Sequence, residues 1–144
     1  MKPKTEANKI KVSIDLHGVI DEDKEKWESF ARDLYEDNNK VYILTGSSYN
    51  DALDDLNSLG FDLTIIEEII STTDYLINEG YKWEYDKHNR PSFELPAWWG
   101  AKAELIKKYN IELHFDNESR YKGYFWPGGV GFIKVESSKD AKLI

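Results

Sequence analysis

Asp15, the run Thr45-Gly46-Ser47, Lys102 and the pair Asp116-Asn117 are the residues of this chain whose types and places suit chemistry on an anion. Two carboxylates at neighbouring strand ends, Asp15 and Asp116, can hold a hard cation such as Mg²⁺, which takes oxygen ligands and keeps waters that a substrate displaces. Thr45 and the backbone N–H groups beyond Gly46 open a helix, a ready anion site at the positive end of its dipole. Lys102 shares a helix face with Leu105, Ile106 and Tyr109, whereas Glu104, Lys107 and Lys108 point elsewhere, so a cation lies on the buried side. Together these make a phosphoryl-transfer site: metal and lysine neutralise charge while a carboxylate attacks phosphorus. Each residue also has an ordinary structural role. Asp15 suits a turn or helix cap, Thr45 to Ser48 a plain helix start, and the Lys102 stem can cover apolar surface while its ammonium reaches water.

The elements that must position these groups alternate along the chain. Ile10 to Asp15 alternates apolar and polar and reads as a first strand, and Asp23 to Asp37 reads as an amphipathic helix with Trp27, Phe30, Ala31, Leu34 and Tyr35 on one face. Lys40 to Thr45 is a near-continuous apolar run, the mark of a strand covered on both faces. A second helix follows from Ser48, with Ser48 and Asp51 as a capping pair, and Gly60 stops it. Within 61–80, Leu63 to Ile70 fits either a strand followed by a turn or the first half of a helix ending at Gly80. Tyr81 to Leu95, with its Lys87 to Pro91 turn signal, reads as a small hairpin or flap. A helix over Ala97 to Asn110 with Pro96 in its first turn, a strand over Ile111 to Phe115, and a last strand over Val130 to Val135 after the Pro127-Gly128-Gly129 turn complete the series. Such alternation predicts an α/β fold: a three-layer, Rossmann-like, mostly parallel sheet with helices on both faces, in which ligands collect beyond the carboxyl ends of the strands.

The 144 residues fit one domain, with frayed tails expected at 1–9 and 137–144. A chain of this size buries a core without cross-links, and the absence of Cys removes disulfides, thiolate zinc sites and thiol nucleophiles while fitting a reducing cytoplasm. The net charge of −8 opposes any partner held mainly through an extended phosphate backbone. No stretch approaches the roughly 20 apolar residues that span a bilayer. These features predict a cytoplasmic protein without a membrane partner.

The motifs, in order, resemble those of the haloacid dehalogenase-like hydrolase superfamily, largely Mg²⁺-dependent phosphatases. Val12 to Ile20, with Asp15-Leu16-His17-Gly18-Val19 at its centre, is similar to the first motif, an apolar strand ending in Asp-x-Asp-Gly. Val41 to Thr45 resembles the second motif, Lys102 the third, and Leu113 to Asn117 the fourth. The resemblance implies Asp15 as nucleophile and Thr45, Gly46, Ser47 and Lys102 as the phosphate site. It also implies Mg²⁺ held by Asp15, the His17 backbone carbonyl, Asp116 and Asn117. His17 stands where most of these phosphatases carry a second Asp as general acid and base, a role that an imidazole with its ordinary pKa near 6.5 can take. Only one helix fits between Asp15 and Thr45, and only 81–95 is spare between Thr45 and Lys102, so the chain resembles capless or minimally capped members. An open site implies a phosphorylated small molecule, a phosphorylated macromolecule end, or closure by a second copy in a homo-oligomer.

Two other readings fit parts of the sequence. Asp15-x-His17 and His114-x-Asp116 form acid–imidazole pairs that suit a transition metal, although His114 lies inside the strand, where a hydrogen-bonded core histidine is the simpler role. His88 sits in a polar turn without assigned chemistry. Loss of the second Asp would also leave a non-catalytic phosphate- or nucleotide-binding or protein-interaction module, with Trp98, Trp99 and the aromatics of 121–126 as partner surface. Packing in the core or under a cap is the simpler role for Trp98.

Overall fold

The computed structural model describes residues 9–125 and 130–136. The Pro127-Gly128-Gly129 turn, Trp126 and, apart from Lys9, the expected tails lie outside them.

Strand β1 (Lys11–Ile14) turns Val12 and Ile14 to one side and Ser13 to the other. Helix α1 (Lys24–Glu36) follows, its first turn capped by the Asp23 carboxylate, which accepts from Lys26 N. Asn38 at φ 63° turns the chain back into β2 (Lys40–Thr45), buried along its length except at Lys40. Helix α2 (Tyr49–Leu59) starts where Ser48 Oγ accepts from Asp51 N at 3.2 Å and ends at Gly60, whose φ of 71° suits a residue without Cβ.

In the segment 61–80, Leu63 to Ile70 is neither the start of a helix nor a strand followed by a turn: the strand begins only at Glu68 and runs directly into a helix. A turn of 3-10 helix (Leu63–Ile65) leads to β3 (Glu68–Ser71), and α3 (Thr72–Asn78) begins at the next residue with Ser71 as its cap. The expected hairpin is present as β4 (Glu84–Tyr85) and β5 (Pro91–Ser92). Helix α4 (Leu95–Tyr109) starts two residues earlier than expected with Pro96 in its first turn, and Asn110 closes it at φ 58°. Strand β6 (Leu113–Asp116), a short helix α5 (Lys122–Phe125) and β7 (Gly131–Lys134) follow. The strand therefore begins at Leu113 rather than Ile111 and takes in Asp116.

Five strands form one sheet in the order β3-β2-β1-β6-β7, every pairing parallel. One face carries α1 and α2 over a core that includes Val12, Ile14, Val41, Ile43, Ala52 and Leu56. The other carries α3, α4 and α5 over Tyr42, Leu44, Ile70, Leu105 and Phe125. The predicted Rossmann-like three-layer α/β architecture is the observed one. No helix among the described residues is long and apolar enough to cross a membrane.

Candidate active site

From β1 the chain moves outward through β2 and β3, then returns to the far side of β1 for β6 and β7. The carboxyl ends of β1 and β6 therefore flank the point where the strand order reverses, the usual place for a ligand crevice in an open parallel sheet. Asp15 and Asp116 stand at those two ends. Asp15 N donates to Phe115 O at 2.9 Å, which keeps the ladder intact up to the carboxylate.

Lys102 joins the two acids. Its side chain is 2% exposed, and Nζ donates to Asp15 Oδ1 at 3.2 Å and to Asp116 Oδ2 at 2.6 Å, over the Tyr121 ring at 4.3 Å. The ammonium does not reach solvent, so the surface-covering role is excluded. Burial works against its charge, but Asp15 and Asp116 outweigh that and hold its pKa above the ordinary lysine value. Burial pushes the Asp15 carboxyl up to about 7, with Asp116 adding to the rise and Lys102 opposing it. Burial acts on Asp116 too, but Lys102 and His114 overcome it and hold that carboxyl well below its usual range. One buried cation thus serves two acids, and Asp116 carries the settled negative charge.

His114 is the core histidine expected from its place inside the strand. Burial lowers its pKa and keeps it neutral. Nε2 donates to Asp116 Oδ2 at 2.8 Å, which leaves Nδ1 to accept from Ser13 Oγ at 2.7 Å. Ser13 and His114 are register partners on β1 and β6. A buried chain, Ser13–His114–Asp116–Lys102–Asp15, therefore runs along the sheet to its carboxyl edge.

The second Asp15 oxygen meets Asn117. One end of the Asn117 amide lies 3.1 Å from Asp15 Oδ2 and 3.3 Å from the His17 carbonyl oxygen. With the amide nitrogen there, it donates to both. With the amide oxygen there, its spacings to the Asp15 and His17 oxygens are close to the roughly 3 Å octahedral edge implied by Mg–O bonds of about 2.1 Å. The donor set of Asp15, Asn117 and the His17 carbonyl thus fits a hard cation. Asp116 is occupied: Oδ2 accepts from Lys102 and His114, and Oδ1 from Glu118 N at 2.9 Å. Among the described residues no three His, Cys, Asp or Glu side chains cluster as a metal site, so the transition-metal arrangement of His17 and His114 does not form. Gly18 closes the pocket at φ 89°, and a Cβ there would collide with Asn117.

The His17 side chain rests on α2, where Nε2 donates to Asp55 Oδ2 at 2.7 Å, both side chains partly exposed. That bond keeps a proton on Nε2, so Nδ1 is the nitrogen left for proton exchange.

Thr45, Gly46 and Ser47 lie at the carboxyl end of β2, beside β1. Ser47 N donates to Thr45 Oγ1, while Ser71 and Thr73 hydroxyls donate to the carbonyls of Ser47 and Gly46 at 2.6 Å each. Thr72 Oγ1, next to Gly46, is the one buried side-chain polar atom without a hydrogen-bond partner among the described residues. Asp55 and Thr72 escaped the sequence reading. Only the polar run Ser71-Thr72-Thr73 after β3 hints at the second, and nothing local hints at the first. Trp98 is half-buried against the hairpin's Phe93 and Gly46, whereas Trp99 packs on Tyr121 in the α4 core. His88 stays in the exposed hairpin turn.

No protein-family model matches the sequence, and no curated protein sequence matches it significantly. Solved structures share the architecture. A crystal structure of an uncharacterized protein from Corynebacterium glutamicum is similar over 92% of this chain and 89% of its own, with a TM-score of 0.56 at 11% identity. The NMR structure of the core domain of a putative phosphoglycolate phosphatase from Streptococcus pneumoniae is similar over 94% of both chains, with a TM-score of 0.52 at 16% identity. At these identities the likeness establishes the fold: a Rossmann-like α/β domain of the kind found in that phosphatase core.

Proposed function

We propose that the chain is a Mg²⁺-dependent phosphomonoesterase of the haloacid dehalogenase-like type that works through a phosphoryl group carried on Asp15. The supporting observation is the Asp15 carboxylate: buried at the reversal point of the sheet, with Lys102 at Oδ1 and, at Oδ2, the Asn117 amide, which also reaches the His17 carbonyl. Asp15, Asn117 and that carbonyl would hold the cation, with Asp116 behind them fixing Lys102. When bound, Mg²⁺ supplies positive charge that favours the Asp15 carboxylate and neutralises the substrate phosphate.

Thr45, Gly46, Ser47, the Thr72 hydroxyl and Lys102 hold the phosphate oxygens. An Asp15 oxygen attacks phosphorus, the P–O bond to the leaving alcohol breaks, and the His17 imidazolium gives the alcohol oxygen its Nδ1 proton, becoming neutral. His17 then takes a proton from water, whose oxygen attacks the phosphoryl group, and phosphate leaves Asp15. Asp55, on the opposite imidazole nitrogen, fixes the tautomer this exchange needs. The substrate is a phosphorylated small molecule or a phosphorylated macromolecule end.

The test is phosphate release from mononucleotides, sugar phosphates and end-phosphorylated oligonucleotides, with Mg²⁺ or with EDTA, for wild type and Asp15→Asn. Release that needs both Mg²⁺ and Asp15 is expected. Tight phosphate binding without release would favour a non-catalytic binding module, a reading to which the hydrogen bond that engages His17 with Asp55 lends support.

A further inference from the structure

The hairpin carries a row of rings whose alignment follows from its register. Glu84 faces Ser92 and Tyr85 faces Pro91, so one step further Trp83 faces Phe93. Facing residues of an antiparallel pair share a side, and alternate residues of a strand return to it. Trp83, Tyr85 and Phe93 therefore lie on one side of the hairpin. Contacts agree: the Trp83 and Tyr85 rings meet edge to face at 5.1 Å, and Phe93 lies parallel to Trp98 within 8°, centroids 6.0 Å apart. Trp98 in turn covers Gly46, where a Cβ would come within 3.0 Å of the indole. One helical turn separates Trp98 from Lys102, so a single face of α4 presents the indole to the Gly46 loop and the ammonium to Asp15.

The row thus begins at the proposed phosphate loop and runs outward to Trp83, 39% exposed, and Tyr85, 63% exposed. Exposed rings such as the Trp83–Tyr85 pair, on the same side of the hairpin as Phe93, mark a contact surface. The hairpin's formal charges balance, Lys82, Lys87 and Arg90 against Glu84, Asp86 and Glu94, in a chain of net charge −8. Flat rings without net charge suit a planar, uncharged group, while the loop at one end suits a phosphate. We propose that the ligand of this site is a nucleotide, its phosphate at the Gly46 loop and its base stacked along Trp98, Phe93 and Trp83. The proposal rests on the phosphate-site reading above and adds the substrate class. A sugar phosphate has no π face to stack. A phosphotyrosyl ring sits directly on its phosphate, next to Trp98, and leaves the outer rings unused. A free mononucleotide and the phosphorylated end of a single strand share the required chemistry.

Calorimetric binding of adenosine 5′-monophosphate, ribose 5-phosphate, phosphotyrosine and a 5′-phosphorylated oligothymidylate tests this, alongside phosphate release from each. Wild type is compared with the double variant Trp83→Ala/Tyr85→Ala, which changes only exposed hairpin side chains. Wild type is expected to bind the nucleotide or the oligonucleotide at least about tenfold more tightly than ribose 5-phosphate. The double variant is expected to lose that preference while its affinity for ribose 5-phosphate stays within about twofold. An oligonucleotide bound more tightly than the mononucleotide assigns the row to a strand end, and equal affinities assign it to the free nucleotide. No nucleotide preference in wild type, a preference that survives in the double variant, or a preference for phosphotyrosine overturns the proposal. Asp15-dependent release from ribose 5-phosphate without nucleotide preference overturns it while the phosphatase reading stands. Ring-dependent nucleotide binding without release of phosphate does the reverse.

Discussion

Toward α1 and α2, the central strands present Val12, Ile14, Val41, Ile43, Leu113 and Phe115, and the Phe115 ring packs edge-on against Trp27 and Phe30. Toward α4 and α5, the centre of the same sheet holds Ser13 and His114, hydrogen-bonded to each other and continuing through Asp116 to Lys102 and Asp15. The first face stabilises by excluding water from apolar surface. On the second, two carboxylates share one ammonium; Asp116 keeps its charge, and Asp15 is the acid that burial leaves poorly compensated. The buried polar face is thus the one where a charge costs stability.

Asp15→Asn gives the largest expected effect, because it separates the two properties. Phosphate release falls by at least about a thousandfold. Stability moves the other way. The folded carboxyl titrates near 7 against an ordinary value of 3.8, so the folded state keeps a proton that the unfolded state has already lost. The Asp15 contribution therefore declines as pH rises from about 4 to about 7 and stays at its lower level above that. In EDTA, Asp15→Asn is expected to unfold at a higher temperature than wild type at pH 8, by an amount equivalent to a few kcal/mol at most, with the gap closing toward pH 4.5. Melting curves across that range check the sign.

Next in size is a pair of variants, one from each face. Ile43→Ala empties a fully buried site on the apolar face and costs roughly 2 to 5 kcal/mol. Lys102→Met leaves Asp15 and Asp116 without their cation and costs roughly 3 to 5 kcal/mol near neutral pH. Urea titrations at pH 8 and pH 5 distinguish them. The Lys102→Met loss shrinks at the lower pH as a carboxylate takes up a proton, whereas the Ile43→Ala loss holds steady. Equal pH dependence in both would remove the distinction between the faces.

Asp55→Asn is smaller and confined to chemistry. The His17–Asp55 pair is exposed enough to contribute at most about 1 kcal/mol to stability. Its loss is expected to lower kcat about tenfold or more with the melting temperature nearly unchanged. Ser13→Ala is the smallest: it removes one buried hydrogen bond from His114 Nδ1, about 1 kcal/mol by denaturant titration.

The sequence made most of the framework legible, because the patterns that carry it are local. The apolar run of β2, the Ser48 cap and Gly60 stop of α2, and the face of α4 holding Lys102 each lie within one element. The segment 61–80 was ambiguous because β3 is only four residues long and α3 starts without an intervening loop, so neither period has room to show. Asp15, Lys102 and Asp116 could be singled out because each ends or faces a readable element. Asp55 and Thr72 could not. Asp55 is one of several acids on α2 and gains its partner only when α2 packs beside the β1 loop, while Thr72 stands out only once its burial leaves the hydroxyl without a partner. Trp98 and Trp99 illustrate the same limit: adjacent on one helix, one reaches the hairpin and the other the core, a split set by the hairpin's position.

The central claim is that Asp15 carries the phosphoryl group, and the most direct measurement is peptide mass spectrometry after rapid acid quench of the protein with a phosphate ester and Mg²⁺. One added phosphoryl group is expected on the peptide containing Asp15, absent in Asp15→Asn and absent when EDTA replaces Mg²⁺. Phosphate release with no adduct on Asp15, or with the adduct on His17 instead, would contradict it.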